Sequence, residues 1–260
     1  MRLPLHQIDA FTNEVFKGNP AAVVPLTEWP DDRVLQAIAL ENNLSETAFF
    51  APLADGFRLR WFTPAIEVDL CGHATLATAW LILNRLDPGR PRVVFQTRSG
   101  ELTVSRSGPR LAMDFPARPP SRIGPLPGLL AAVGRAPREI LAARDILLVY
   151  DDPGIVRGLA PDLSALAKVE CFAVCATAPG DGGYDCVSRF FAPRVGVPED
   201  PVTGSVHCTV APYWAGRLGK PALHCLQASA RGGELWCTVR GDRVVIEGEC
   251  APYLEGAIEV

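Results

Sequence analysis

Residues able to do chemistry cluster at two similar places in the chain. In the first, Glu67 and Asp69 precede Gly72-His73-Ala74-Thr75; in the second, Glu199 and Asp200 precede Gly204-Ser205. Carboxylates and an imidazole are groups that move protons near neutral pH once their surroundings tune them. A glycine that opens a helix exposes backbone N–H groups, and with the helix dipole these favour a bound carboxylate or other anion. Simpler roles compete at each position. Gly72 and Gly204 could only permit tight turns, Thr75 or Ser205 could only cap a helix, His73 could be a satisfied hydrogen-bonding group, and Asp200 before Pro201 could be an Asx-turn residue.

A fifth carboxylate, Glu46, stands in the segment NNLSETAFF (42–50), immediately before an apolar strand. Burial beside apolar neighbours would raise its pKa and suit it to carrying a proton. A charged residue at a strand edge is the alternative. Cys71, just before Gly72, reads either as a reactive thiol or as a core cysteine.

The elements that must hold these groups are mostly strands. Short alternating or apolar runs bounded by Gly, Pro and Asp predict strands at 21–25, 48–51, 57–62, 92–96, 102–104, 111–115, 146–150, 172–176, 184–191, 235–239 and 244–247. Helical windows are fewer, at 32–41, 74–83, 127–133, 162–167 and 206–214. This balance predicts an α+β fold with mainly antiparallel pairing. Within it RWFTP at 60–64 returns as RFFAP at 189–193, an offset of 129 in a chain of 260. Each copy leads through an acidic loop to a Gly-opened apolar helix, which predicts duplicated halves related by a pseudo-two-fold. We expect the halves to be 1–117 and 118–260, joined through the Pro/Arg-rich stretch 117–127, and leave open that the final strand packs back on the first half.

With 48% hydrophobic and 21% charged residues and a formal charge of −4, the chain can bury roughly 70–75% of its unfolded surface. It has no Lys/Arg block to attract nucleic acid or an anionic bilayer, so neither is an expected partner. The N-terminus carries His6 and Asp9 where a secretory signal would be uninterrupted, and the longest charge-free apolar run, 71–83, is too short to span a bilayer. A cytoplasmic location is therefore expected. The eight cysteines include no Cys-x-x-Cys pair, and there is no Gly-x-Gly-x-x-Gly or Walker loop. We expect buried thiols, no metal and no cofactor.

The ordered motifs IDAFT (8–12), GNPAAV (18–23), NLSETAF (43–49), RWFTP (60–64), EVDLCGHATLA (67–77), EDPVTGS (199–205) and SARGGEL (229–235) together resemble the PhzF-like proteins of the phenazine-biosynthesis type across essentially the whole chain. The resemblance implies a diaminopimelate-epimerase-like fold: two α/β halves, each wrapping strands around a central helix, with the active site in the cleft between them. It implies a cofactor-independent isomerase that moves a proton between carbons of a small carboxylate. By motif, Glu46 falls on the acid/base, with His73 and Asp200 as catalytic partners, and Ser45, Gly72, Thr203, Gly204 and Ser205 on the substrate side. A homodimer is implied as well.

One feature departs from the wider superfamily, whose epimerases use one cysteine per half. Cys71 matches the first, but Asp200-Pro201-Val202-Thr203 stands where the second would be needed. Two other readings therefore stay open: an amino-acid epimerase or racemase using Cys71 with Asp200, and a non-catalytic ligand-binding protein.

Overall fold

The computed structural model describes all residues from Met1 to Val260. Its elements, in chain order, are β1 (Arg2–Ala10), β2 (Asn19–Pro25), α1 (Asp32–Asn42), β3 (Glu46–Leu53), β4 (Gly56–Phe62), β5 (Glu67–Val68), α2 (Gly72–Leu81), β6 (Arg92–Thr97), β7 (Gly100–Ser107) and β8 (Arg110–Pro116). They continue with β9 (Ser121–Arg122), α3 (Leu129–Val133), β10 (Glu139–Ala142), β11 (Ile146–Val149), α4 (Pro153–Arg157), α5 (Leu163–Leu166), β12 (Val174–Pro179), β13 (Cys186–Ala192), β14 (Val197–Asp200), α6 (Gly204–Leu218), β15 (Ala222–Gln227), β16 (Gly233–Arg240), β17 (Arg243–Gly248) and β18 (Cys250–Glu259). A π-helical turn, Ile82–Leu86, extends α2, and a 3₁₀ turn, Pro193–Val195, follows β13.

Two compact units divide the chain: Met1–Asp114 with Glu247–Val260, and Phe115–Ile246. The division falls before residue 117 because Phe115 is already buried and the Ala117 N–H donates to the Asp242 carbonyl.

Within the first unit, β1 pairs antiparallel with β2 and with β18, β2 runs parallel to β3, β3 pairs antiparallel with β4, β4 pairs antiparallel with β5 and parallel with β6, and β6 pairs antiparallel with β7. The second unit repeats this order of pairings. There β10 pairs antiparallel with β9 and β11, β11 runs parallel to β12, β12 pairs antiparallel with β13, β13 pairs with β14 and β15, and β15 with β16. Each unit thus takes one extra strand beside its first, the ten-residue β18 in the first unit and the two-residue β9 in the second.

The helix inside the first unit, α2, is buried on nearly every side, from His73 through Leu81. A helix apolar all round must sit within a core, and α2 packs on β1, β2, β3 and β18. Gly248 allows this closeness, since a Cβ there would lie 2.5 Å from Phe11 Cδ1 and 3.0 Å from Leu76 Cδ2. A second apolar cluster, including Val24, Leu35, Ile38, Phe49 and Phe62, packs α1 on the same strands. In the second unit α6 packs on β15 and β16, while Leu129, Leu148, Val156, Val174 and Phe191 anchor the core around α3 and α4.

Helices begin or end differently from the sequence expectation where termini are fixed by loops. The predicted windows at 74 and 206 start too late because Gly72 and Gly204 already have helical neighbours. Strands β1, β5, β9, β10, β14, β15 and β18, and the helix α4, lie outside the predicted runs.

Candidate active site

The repeated RWFTP and RFFAP segments begin at the fifth residue of β4 and the fourth of β13 and run out of the end of each strand, and each places an arginine in a largely buried position. Arg60 Nε and Nη2 donate to Glu67 at 2.7 and 2.8 Å, and Arg189 Nε and Nη2 donate to Glu199 at the same two distances. Planar guanidinium and carboxylate meet edge to edge, the geometry of the strong bidentate pair. Each guanidinium also lies over a phenylalanine of its own strand, Phe62 at 5.1 Å and Phe191 at 4.9 Å. Glu67 and Glu199 therefore fasten the loop ahead of each helix. Asp32 adds to Arg60, and Arg98 adds to Glu67. In the second unit, Arg189 Nη1 also donates to the carbonyls of Val156, Arg157 and Leu159.

The loops so fixed lead into α2 and α6. Neither Gly72 nor Gly204 adopts a left-handed φ, so the tight-turn role is not what requires them. A Cβ at Gly72 would meet nothing within 4 Å. No side chain caps α2 at Cys71 or α6 at Thr203. Thr75 instead donates Oγ1–H back to the Cys71 carbonyl at 2.6 Å, and His207 Nδ1 meets the Thr203 carbonyl at 2.8 Å. Thr75 therefore does not cap α2, and the helix start has no side-chain cap on its first-turn N–H groups.

At this helix start Glu46, the first residue of β3, approaches His73: Oε2 lies 3.2 Å from Nε2. The pair makes close contact without the alignment of a hydrogen bond. The Glu46 side chain keeps 17% exposure, against 6% for His73. Asn19, fully buried at the start of β2, sits with its Nδ2 3.2 Å from His73 Nδ1. An amide N–H donating there leaves the ring proton on Nε2, toward Glu46. Burial lowers the His73 pKa to about 3, so the ring is neutral at neutral pH. Cys71 is buried, with Sγ 3.5 Å from His73 Nδ1. Ser45 is half-buried in the turn just before Glu46.

In the second unit Asp200 ends β14 half-buried, and its Oδ2 accepts the Thr203 hydroxyl at 2.5 Å. Buried Gln227 ties this turn together: Oε1 accepts the Thr203 N–H, and Nε2 donates to the Asp200 carbonyl and to Thr203 Oγ1. Ser229 Oγ–H donates to the Pro201 carbonyl. Ser205 is half-buried one residue past Gly204. The structure thus brings Glu46 to His73, and Asp200 to Thr203, each within its own unit. Asn19 and Gln227 are the residues that sequence reasoning overlooked.

Topology of this kind, α+β with two repeated α/β units each holding a central helix, defines a diaminopimelate-epimerase-like fold. It is shared with a hydroxyproline epimerase from Agrobacterium vitis, with TM-score 0.61, 12% identity, and coverage of 99% of this chain and 91% of that one. Within that class, the family model for phenazine biosynthesis-like proteins (PhzC-PhzF) matches residues 8–256, and the chain belongs to this family. A solved PhzF-family structure from Enterococcus faecalis superposes with TM-score 0.97 at 43% identity, covering all of both chains. An uncharacterised isomerase of Pseudomonas aeruginosa is 54% identical over all of both chains, and a phenazine biosynthesis-like domain-containing protein of Homo sapiens is 39% identical over 99% of each. No helix is long and apolar enough to cross a membrane.

Proposed function

We propose that the protein is an isomerase that transfers a proton between carbons of a small carboxylate, with Glu46 as the group that alternates as base and acid. The observation that carries this reading is the 3.2 Å approach of Glu46 to a buried, neutral His73 at the uncapped start of α2. One carboxylate that takes a proton from carbon and returns it to another carbon on the same face needs no cofactor. His73, with its proton on Nε2, can hold a polar atom of the substrate or of Glu46. The uncapped N–H groups at Gly72 suit a substrate carboxylate. Asp200 is proposed as the second catalytic group, with Ser45, Thr203, Gly204 and Ser205 holding substrate. The isomerase names of the relatives support the reaction class.

Cys71 favours a second reading, an epimerase using its thiol with Asp200, because a cysteine at a helix start beside a histidine is where thiols become reactive. The two are separated by screening small cyclic and amino carboxylic acids for exchange of carbon-bound protons in deuterated water. An isomerase exchanges with a double-bond shift; an epimerase exchanges with inversion. Absence of exchange, of double-bond shift and of inversion in every acid of both classes would contradict both and favour a binding protein.

A further inference from the structure

Cys71 is the one group beside Glu46 and His73 that the proposed proton transfer leaves unused. One ligand-type atom from each of Glu46, Cys71 and His73 lies within 4.8 Å of the other two. We propose that these three side chains form a binding site for a divalent transition-metal ion, Zn²⁺ being the best match. Carboxylate, thiolate and imidazole are the donors zinc takes, and a four-coordinate ion with bonds of roughly 2.0–2.3 Å sets its ligand atoms roughly 3.3–3.8 Å apart. The 3.2 Å approach of Glu46 to Nε2 is already near that spacing, whereas Cys71 Sγ lies 3.5 Å from the other ring nitrogen, Nδ1. An ion on Nε2 then needs Cys71 to rotate about its Cα–Cβ bond, a single-rotamer change.

The surroundings fit a metal in two further ways. A ligating histidine usually donates its other ring N–H to a fixed acceptor, and Asn19, buried against Nδ1, presents its amide oxygen there after a half-turn of the amide. Three protein ligands leave a fourth position for water or a ligand oxygen, and the side of Gly72 where a Cβ would meet nothing within 4 Å offers space for it. Partial exposure of Glu46 provides the way in. Binding displaces the thiol proton to solvent. The bound ion would occupy Glu46 and stop proton transfer; that consequence rests on the proposed function, whereas binding itself does not.

The test is anaerobic titration of Co²⁺ into the chelator-treated full-length protein, read by absorption. Stoichiometric Co²⁺ should give a thiolate-to-cobalt charge-transfer band with four-coordinate intensity in the visible, and Zn²⁺ should bleach it. Cys71→Ser should abolish the charge-transfer band. Glu46→Gln and His73→Asn should each weaken Co²⁺ binding at least ~10-fold. Cys171→Ser and Cys250→Ser, at the two partly exposed cysteines, should leave the band intact. No charge-transfer band at millimolar Co²⁺, a band that survives Cys71→Ser, or one lost with Cys171 or Cys250 would overturn the site. Should Cys71→Ser fail to fold, unchanged Co²⁺ affinity in Glu46→Gln overturns it instead. Proton exchange by the metal-free protein is unaffected by either result, so failure here is distinct from failure of the isomerase reading.

Discussion

Asn19 and His73 illustrate how a residue's chemistry is set by neighbours far away in sequence. The ring is buried, and a buried imidazole whose Nδ1 loses its amide donor has no water to replace it. Asn19→Ala should therefore lower stability by about 1–3 kcal/mol in urea unfolding and slow proton exchange by loosening the ring that faces Glu46; unchanged stability and rate would mean the contact does not hold His73. A second residue offers a clean pH dependence. Asp145, in the turn between β10 and β11, is buried with Oδ1 unpartnered, and desolvation raises its pKa against the opposing pull of Arg144 and Arg118. A carboxyl whose folded pKa is raised stabilises the fold below its unfolded value and loses that contribution as pH rises through the folded value. Asp145→Asn should thus raise Tm at pH 7, and the gap should close as pH falls toward the ordinary aspartate range. A constant gap across that range would show that the effect is not ionisation.

At the scale of elements, the paired Arg–Glu contacts do the same work in both units: each ties a strand to the loop that starts a buried helix. Arg189 also serves three carbonyls around the end of α4, so its pair with Glu199 is the more demanding one. A double-mutant cycle on Arg189 and Glu199 should give a coupling of about 1.5–3 kcal/mol, and a value near zero would make the contact incidental. These contacts also mark how far the sequence could be read. The repeat of RWFTP was visible because both copies are apolar strands around one arginine. The role of Glu67 and Glu199 was not, because a carboxylate in a loop looks alike whether it faces substrate or a guanidinium. Strand β18 is not among the predicted runs, since its positions from Pro252 to Gly256 are exposed, which removes the alternation that a half-buried strand writes into sequence. Asn19 and Gln227 escaped because nothing in a linear sequence marks which polar side chain a turn will need.

For the whole molecule, the repeated order of pairings explains why a five-residue match at half-chain spacing carried so much: it marked one corresponding strand among many whose sequences have diverged. The family resemblance implies a homodimer. Sedimentation at micromolar concentration should give twice the 28.0 kDa of one chain, and a monomer at that concentration would contradict it.

The central claim is that Glu46 carries the proton. Its direct test compares wild type with Glu46→Gln in deuterated water, using whichever carboxylic acid the wild type exchanges. The account predicts that Glu46→Gln still binds that acid while exchange falls by ~10²–10⁴-fold or more, and that Cys71→Ser exchanges at nearly the wild-type rate. Full exchange by Glu46→Gln together with an inactive Cys71→Ser would contradict it and transfer the chemistry to the thiol.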